Sequence, residues 1–296
     1  MGAEVLFISI GSMAGIGLVL ALILVLADKK FAVEEDPRIE KAIELLPGAN
    51  CGACGFAGCA AYAAAIVEDG AELTLCKPGG AEVVQKLSEL LGVEAVEAGA
   101  PKVARVFCSG GLKEAVRDKV YQGVKTCAAA NITGGEKACM YSCIGYGDCV
   151  RACPFDAMYM NENGLPVVIL EKCTGCGECV KACPRGIMQL TEYDEVVHVY
   201  CSSLDKGAVV RKICSAGCIA CGICERDDDT GAVKVVDNLA RVDHSVNKAP
   251  IKSTLRCPTK VIRISELRPE YEELYREMKK KAEELMAQLK AEKTKK

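Results

Sequence analysis

Four cysteines fall within twelve residues in the segment CTGCGECVKACP, which runs from Cys173 to Pro184. The spacing C-x2-C-x2-C-x3-C-P is that of bacterial ferredoxins, in which three thiolates bind one [4Fe–4S] cluster and the fourth binds a neighbouring cluster. A zinc ion and disulfide bonds are the alternatives for such a group of thiols. The spacing therefore predicts an iron–sulfur cluster and requires a second run of cysteines.

A second run, CMYSCIGYGDCVRACP, lies upstream and also ends in proline, although its spacing is stretched. Zinc sites favour isolated C-x2-C pairs about 15–20 residues apart, which does not describe these two runs. Crossed ligation between the runs predicts two complete clusters. The expected ligand sets are Cys139, Cys143, Cys149 and Cys183 for one cluster, and Cys153, Cys173, Cys176 and Cys179 for the other.

Two more groups have close cysteine spacing. CGACGFAGC supplies three thiols and is followed, after an alanine-rich stretch, by a fourth; CIACGIC supplies three and is completed by a distant Cys-Pro pair. The alternative for the last of these, Cys257, is a lone buried thiol. The expected sets are Cys51, Cys54, Cys59 and Cys76, and Cys218, Cys221, Cys224 and Cys257.

Four of the twenty cysteines then remain, namely Cys108, Cys127, Cys201 and Cys214. The segments VFCS and VYCS resemble each other, as do CMYSCI and CSAGCI, which indicates a diverged internal repeat. Two interpretations stay open, a fifth cluster held by these four thiols or four free buried thiols. The cysteines thus predict at least three [4Fe–4S] clusters, and four or five if the weaker groupings hold.

Composition narrows the chemistry further. The 296-residue chain has 37 Lys and Arg against 40 Asp and Glu, a net charge of −3, so it lacks the basic field that nucleic acid binding requires. It has only two histidines, His198 and His244, so we expect any metal chemistry to be thiolate chemistry. With every iron bound by a thiolate and no nucleotide-binding motif in the soluble part, we expect an electron carrier without a substrate-converting site of its own.

The N-terminal segment from Val5 to Ala27 has no charged residue and is long enough to cross a bilayer, which takes about 20 residues. The leading charge is Glu4, which argues against a cleaved signal peptide. Lys29 and Lys30 follow the segment, so the positive-inside rule places the rest of the chain in the cytoplasm, after a single pass. Disulfides are disfavoured in that reducing compartment.

These motifs must be positioned by an α+β fold. The alanine-rich stretches predict helices, GLPVVIL and DEVVHVYC predict short strands, and the spacing of apolar residues from Tyr271 to Leu289 predicts an amphipathic helix. That helix either packs on the protein or binds a partner. The expected parts are a transmembrane anchor at 1–30, a small helical [4Fe–4S] domain at 31–97, a ferredoxin-like multi-cluster domain at 98–265 and a charged helix at 266–296.

In their order along the chain, the apolar helix, CGACGFAGC with its distant Cys76, CSGG, CMYSCIGYGDCVRACPFDAM, NGLPVV and KCTGCGECVKACPRGI resemble the B subunit of Rnf complexes. These complexes are ion-translocating ferredoxin:NAD⁺ oxidoreductases of bacterial cytoplasmic membranes. The resemblance extends from about Val5 to Ile264 and carries over the ligands Cys51, Cys54, Cys59 and Cys76 and the two crossed sets.

The resemblance implies a membrane-anchored subunit that accepts electrons from reduced soluble ferredoxin and passes them to membrane-embedded subunits. The implied partners are the A, C, D, E and G subunits, with flavin and NAD bound by C and covalent flavins by D and G. The complex as a whole would couple this transfer to Na⁺ or H⁺ translocation.

Two other functions stay open from the sequence. The CGACGFAGC module also resembles one in corrinoid enzymes, which suggests a reductive activator of a corrinoid protein; that alternative predicts a soluble chain, against the apolar segment. The other is a non-redox anchor whose clusters are structural, which predicts clusters that stay silent at low potential.

Overall fold

A computed structural model describes residues 2–31, 36–94, 99–265 and 272–294. The first helix, α1, spans Gly2–Phe31. Its stretch Ile10–Ala27 is, among the described residues, the one segment long and apolar enough to cross a membrane, and none of it is buried against the protein. The apolar side chains of this stretch therefore have no protein core to enter, as expected of a membrane anchor.

A small three-helix unit follows. Helix α2 (Pro37–Leu45) begins where the Asp36 carboxylate accepts a hydrogen bond from the N–H of Arg38, with proline at the first helical position, where it lacks no hydrogen bond. Helix α3 spans Cys59–Glu68 and helix α4 spans Gly80–Leu91. The three helices bury a core centred on Ala42, Tyr62 and Leu87. A compact helical unit therefore encloses the first cysteine group.

The rest of the described chain combines short helices with four two-stranded antiparallel ribbons. The helices are α5 (Cys127–Ile132), α6 (Asp148–Arg151), α7 (Glu178–Lys181), α8 (Gly207–Ile213), α9 (Ile223–Asp227), α10 (Lys252–Leu255) and α11 (Glu272–Thr294). The strands are β1 (Lys102–Val106), β2 (Met158–Met160), β3 (Pro166–Val168), β4 (Met188–Glu192), β5 (Val197–Val199), β6 (Val233–Val236), β7 (Leu239–Val242) and β8 (Ile262–Ile264).

Pairing joins distant parts of the chain. Strand β1 pairs with β4 and β5 pairs with β8, while β2–β3 and β6–β7 are local hairpins. The two cores of this region are small, and each contains cysteines beside its aliphatic residues. Cys173 and Cys179 lie in one core with Val103 and Met188, and Cys218 lies in the other. The ribbons therefore pack around cysteine sulfur as well as around hydrocarbon.

Three turns of the same form place a cysteine in a short helix. Gly147, Gly177 and Gly222 precede helices α6, α7 and α9, and all three have left-handed φ angles, of 75°, 86° and 69°. Glycine adopts this conformation without the strain that a Cβ would add. The second residue of each helix is a buried cysteine, namely Cys149, Cys179 and Cys224.

The sequence expectations for the elements largely agree with the structure. The strands predicted in GLPVVIL and DEVVHVYC are confirmed as β3 and β5, and helix and strand mix as the α+β class requires. A helix is present over Glu272–Thr294, but its amphipathic character stays a prediction, and Tyr271 lies outside the described residues. The proposed domain boundaries likewise fall at or beside undescribed residues, 32–35, 95–98 and 266–271.

Gly175→Ala is expected to destabilise the fold strongly. The residue has a φ of +68°, and a Cβ would overlap the carbonyl oxygen of Lys102 on β1. Gly186→Ala is the matched control, because that glycine has a φ of +61° and no atom within 4 Å of an added Cβ. The control should lose about 1–2 kcal/mol from backbone strain, and Gly175→Ala about 1–3 kcal/mol more from overpacking.

The measurement is anaerobic chemical denaturation of the full chain, followed by circular dichroism. Equal losses in the two variants would contradict the close approach between Gly175 and β1.

Candidate metal centres

Four cavities of similar size are each lined by four cysteines. They hold about 380, 340, 310 and 300 Å³ of free space. The similar sizes and identical sulfur content indicate that the four cavities suit the same kind of group. In that order, their cysteines are Cys127, Cys143, Cys149 and Cys183; Cys218, Cys221, Cys224 and Cys257; Cys108, Cys139, Cys201 and Cys214; and Cys153, Cys173, Cys176 and Cys179.

The fifth group lies at the helical unit. The N–H of Cys59, at the start of α3, donates to the Oδ1 of Asn50 at 2.8 Å, which fastens the cysteine loop to the helix. Burial raises the pKa of Cys76, and the negative charges of Cys59, Cys54 and Cys51 add to the rise. The structure therefore brings together the four cysteines that the sequence grouped here.

In two of the groups, the structure exchanges one member. The sequence expectation placed Cys139 with Cys143, Cys149 and Cys183, and it placed Cys127 with the leftover thiols. In the structure Cys127 lines the cavity of Cys149 and Cys183, whereas Cys139 lines the cavity of Cys108. These two expected groupings are therefore wrong as spatial groupings.

Local hydrogen bonds explain the exchange. The carbonyl of Cys139 accepts from both the N–H and the hydroxyl of Ser142, at 3.3 and 2.8 Å, so the chain turns between Cys139 and Cys143 and the two thiols enter different cavities. Cys127 begins α5, where the N–H of Ala128 donates to the Oδ2 of Asp148 at 3.0 Å. That bond holds the start of α5 beside α6, which carries Cys149.

The cavity of Cys108 lies where the two halves of the internal repeat meet, and we call its four cysteines the seam group. Cys108 follows β1 and Cys201 follows β5, and the hydroxyl of Ser202 donates to the carbonyl of Phe107 at 2.9 Å. The N–H of Cys143 donates to the Sγ of Cys108 at 3.3 Å. The repeat predicted from VFCS and VYCS thus places equivalent cysteines against one another.

The second half shows a matching contact. Burial raises the pKa of Cys201 to about 11, while a hydrogen bond from the backbone N–H of Cys218 opposes that rise. Cys143 and Cys218 occupy equivalent places in CMYSCI and CSAGCI. Each half of the repeat therefore gives two thiols to the seam group and the next thiol to a flanking cavity.

Burial disfavours the thiolate form of these cysteines when no cation is bound. It is the main cause of a raised pKa at nine of them, and at each of the nine the charge of a neighbouring cysteine is the next cause that adds to the rise; at five the rise is large. A bound metal ion reverses this balance, because it stabilises the thiolates directly. The values are about 12 for Cys143, Cys179 and Cys224, and about 11 for Cys149 and Cys201.

Backbone N–H groups also approach the sulfurs. The N–H groups of Ala104, Ala157 and Ser203 lie 3.5, 3.4 and 3.4 Å from the Sγ atoms of Cys173, Cys153 and Cys201, respectively. Such donors stabilise negative charge on a thiolate. Sets of four thiols with N–H donors in small, largely apolar cavities therefore fit [4Fe–4S] clusters.

Two cations that the sequence expectations omitted, the buried Lys137 and the half-buried Arg185, lie beside the sulfur cavities. Lys137 is 4% exposed, its Nζ donates to the carbonyl of Gly110 at 2.7 Å, and its charge opposes the burial that raises the pKa of Cys143. Arg185 donates to the carbonyls of Ser142 and Gly134, both at 2.7 Å. Their only sequence signal was proximity to cysteine motifs.

The five groups form a continuous series. Burial is the main cause of the raised pKa at both Cys176 and Cys179. The negative charge of Cys51 contributes to the rise at Cys176, and that of Cys149 contributes to the rise at Cys179. The bond from Cys143 to the Sγ of Cys108 joins the next pair of groups. The contact of Cys218 with Cys201 joins the last pair. Each group thus lies beside the next, with the seam group fourth in the series.

Two known families match parts of the chain. Residues 46–78 match the family described as "Putative Fe-S cluster", and residues 142–187 match the "4Fe-4S dicluster domain". The first match contains the whole helical-unit group. The second begins after both Cys127 and Cys139, so it does not bear on the exchange between them.

Relatives with assigned names are similar along most of the chain. The B subunit of the ion-translocating oxidoreductase complex of Methanosarcina acetivorans is 43% identical over 88% of this chain and 99% of its own length. The B subunit of the proton-translocating ferredoxin:NAD⁺ oxidoreductase complex of Clostridium ljungdahlii is 43% identical over 84% and 88%. The Na⁺-translocating counterpart of Acetobacterium woodii is 41% identical over 87% and 77%.

Alanine substitutions distinguish the spatial groups from the sequence groups. If Cys139 belongs to the seam group, Cys139→Ala and Cys214→Ala should remove the same paramagnetic signal, and Cys127→Ala should remove the signal that Cys149→Ala removes. Each variant should lose about four irons, one cluster, per chain. Iron analysis and electron paramagnetic resonance (EPR) of anaerobically purified full-length protein provide the measurement.

All twenty cysteines fall into the five groups, so wild type carried through the same preparation is the reference. Loss of the Cys149 signal in Cys139→Ala would restore the grouping expected from the sequence.

Proposed function

The chain belongs to the family of B subunits of ion-translocating oxidoreductase (Rnf) complexes, and on that premise we propose how its cysteines serve the function of that subunit. It is an iron–sulfur electron-transfer subunit of a ferredoxin:NAD⁺ oxidoreductase. The observation that carries the proposal is the series of five four-cysteine groups, in which a hydrogen bond or a charge interaction links each group to the next. Such a series suits the relay of single electrons between other proteins.

We assign one [4Fe–4S] cluster to each group. When bound, such a cluster accepts and releases one electron without binding a substrate. The chain's own residues hold the thiolates, keep solvent away from them and direct backbone N–H groups at the sulfurs. The similar cavities and the fifth group at the helical unit support the number five.

The proposed electron donor is reduced soluble ferredoxin, and the proposed acceptors are other subunits of the complex. The names of the Clostridium and Acetobacterium relatives include ferredoxin and NAD⁺, which supports this assignment. Coupling to Na⁺ or H⁺ translocation belongs to the complex as a whole. The full-length similarity to these subunits favours this function over reductive activation of a corrinoid protein.

The proposed location is the cytoplasmic membrane. Helix α1 anchors the chain, and Lys29 and Lys30 after its apolar stretch favour a single pass with the cluster-bearing part on the cytoplasmic side. That side holds soluble ferredoxin and keeps thiols reduced.

Reduced ferredoxin should reduce the full chain directly. In detergent and without oxygen, mixing the two should bleach the cluster absorption of this protein and produce the EPR signals that dithionite produces. Stopped-flow absorption and freeze-quenched EPR provide the measurement, and dithionite is the positive control. Clusters that dithionite reduces but reduced ferredoxin leaves oxidised would refute the proposed donor.

Lys137→Met is expected to lower the reduction potential of a cluster next to Cys143. The buried ammonium stabilises the more negative, reduced state, and removing it costs about 1–2 kcal/mol of that stabilisation. For one electron this corresponds to a decrease of about 40–90 mV. Methionine keeps the unbranched apolar part of the side chain and lacks only the charged terminal nitrogen, so apolar packing changes little.

Lys113→Met, at an exposed lysine, removes the same charge and serves as the control. Redox titration followed by EPR measures both variants. Equal shifts in the two would mean that net charge, and not the buried contact, sets the potential.

A further inference from the structure

Both histidines of the chain converge on one carboxylate. His198 lies on β5, His244 follows β7, and Glu195 lies in the segment between β4 and β5. One ligand atom from each lies within 4.8 Å of the others. The expectation that all metal chemistry would be thiolate chemistry overlooked this cluster, because the two histidines are distant along the chain.

The hydrogen bonds around His244 leave two acceptors facing each other. Its Nε2 lies 2.9 Å from the carbonyl oxygen of Val197, and a carbonyl only accepts, so this nitrogen carries a hydrogen. In the neutral ring, Nδ1 then has a lone pair, and it lies 3.8 Å from the Oε1 of Glu195. The Oε2 of that carboxylate already accepts the N–H of Glu192 at 3.2 Å. Either a proton on Nδ1 or a metal ion between Nδ1 and Oε1 makes this arrangement favourable.

His198 contributes a third acceptor. Its side chain is 2% exposed, and among the described residues no partner hydrogen-bonds to its Nε2. The backbone carbonyl of Glu195 accepts a hydrogen bond from the ring. Burial, with smaller contributions from the charges of Arg105 and His244, lowers the pKa of His198 to about 3, so the ring is neutral at pH 7. A buried neutral imidazole with an unpaired nitrogen is costly unless that nitrogen binds something.

We propose that Glu195, His198 and His244 bind a divalent transition-metal ion, with zinc as the ion that this donor set suits best. Two imidazole nitrogens and one carboxylate oxygen form a three-ligand zinc site with a fourth position for water. Tetrahedral ligands about 2.1 Å from zinc lie about 3.4 Å apart, so small side-chain rotations close the present spacing. The site is separate from the cysteine groups and does not depend on the proposed electron relay.

The surroundings resemble those of built metal sites. Backbone groups already form hydrogen bonds with all three ligands. The carbonyl of Val197 bonds to His244, the carbonyl of Glu195 bonds to His198, and the N–H of Glu192 bonds to the Glu195 carboxylate. Such outer contacts fix ligand orientation and protonation in known sites. A cleft with about 1070 Å³ of free space is lined by all three ligands and gives an ion a path from solvent.

Two arginines oppose the ion, and one of them, the exposed Arg241, lines the same cleft. The guanidinium of Arg105 is buried, donates to the Oγ1 of Thr191 at 2.9 Å and acts on His198. With a single carboxylate in the site, we therefore expect weaker binding than in an all-thiolate zinc site. The ion would fasten the β4–β5 segment to the hairpin β6–β7, beside Cys201, which lines the same cleft.

The test uses the full chain, purified without oxygen and with its clusters loaded, titrated with zinc chloride. Empty cysteine groups also bind zinc, so the ligand shell must be identified by zinc K-edge X-ray absorption. Nitrogen and oxygen ligands lie at about 2.0–2.2 Å from zinc and sulfur ligands at about 2.3 Å. We expect about one zinc per chain beyond the clusters, with a nitrogen and oxygen shell; no zinc, or a sulfur shell, would overturn the site.

Variants locate the ion. His244→Gln and Glu195→Gln should each weaken zinc binding at least tenfold. Asp194→Asn is the matched control and should leave it unchanged, because that carboxylate pairs with Lys248 at 2.6 Å outside the site. Cluster absorption equal to wild type shows that each variant has folded. Zinc retained by both ligand variants, or lost in the control, would refute the proposal.

Discussion

The structure depends on buried sulfur that must carry negative charge. Burial raises the pKa of thiols such as Cys143 and Cys179 to about 12, so without a metal these groups stay protonated at neutral pH. The ribbons around them are only two strands wide, and a single two-stranded ribbon is marginally stable on its own. Metal binding and folding are therefore coupled in this part of the chain, since the cysteines stand where a larger domain would have hydrocarbon.

The spacing of cysteines was sufficient to predict a spatial group where three of its members lie in one close run. The runs around Cys173 and Cys218 gave spatial groups that the structure reproduces, including the distant Cys257. The reason is local: each close run ends in a glycine turn and a short helix that fix the direction of the thiols. The β3 and β5 strands were predictable for the same reason, because turn residues flank a β-branched run.

Cys127 and Cys139 could not be assigned from spacing. Which cavity each enters is decided by contacts with other segments, such as the bond from Ala128 to Asp148 and the turn closed by Ser142. Lys137, Arg185 and the two histidines were missed because their partners are distant in sequence. Spacing reports which thiols can share a cluster, whereas tertiary contacts decide which cavity each thiol enters.

The seam group takes two cysteines from each half of the repeat. Its four members therefore emerge from the ribosome in two separate pairs. The cysteines of the helical unit have all emerged once Cys76 has left the ribosome, and those of the next two groups once Cys183 has done so. Cys108 and Cys139 must wait until Cys201 and Cys214 emerge. For that interval the nascent chain carries two thiols of the seam group without their counterparts, although all the cysteines of the three preceding groups have already emerged.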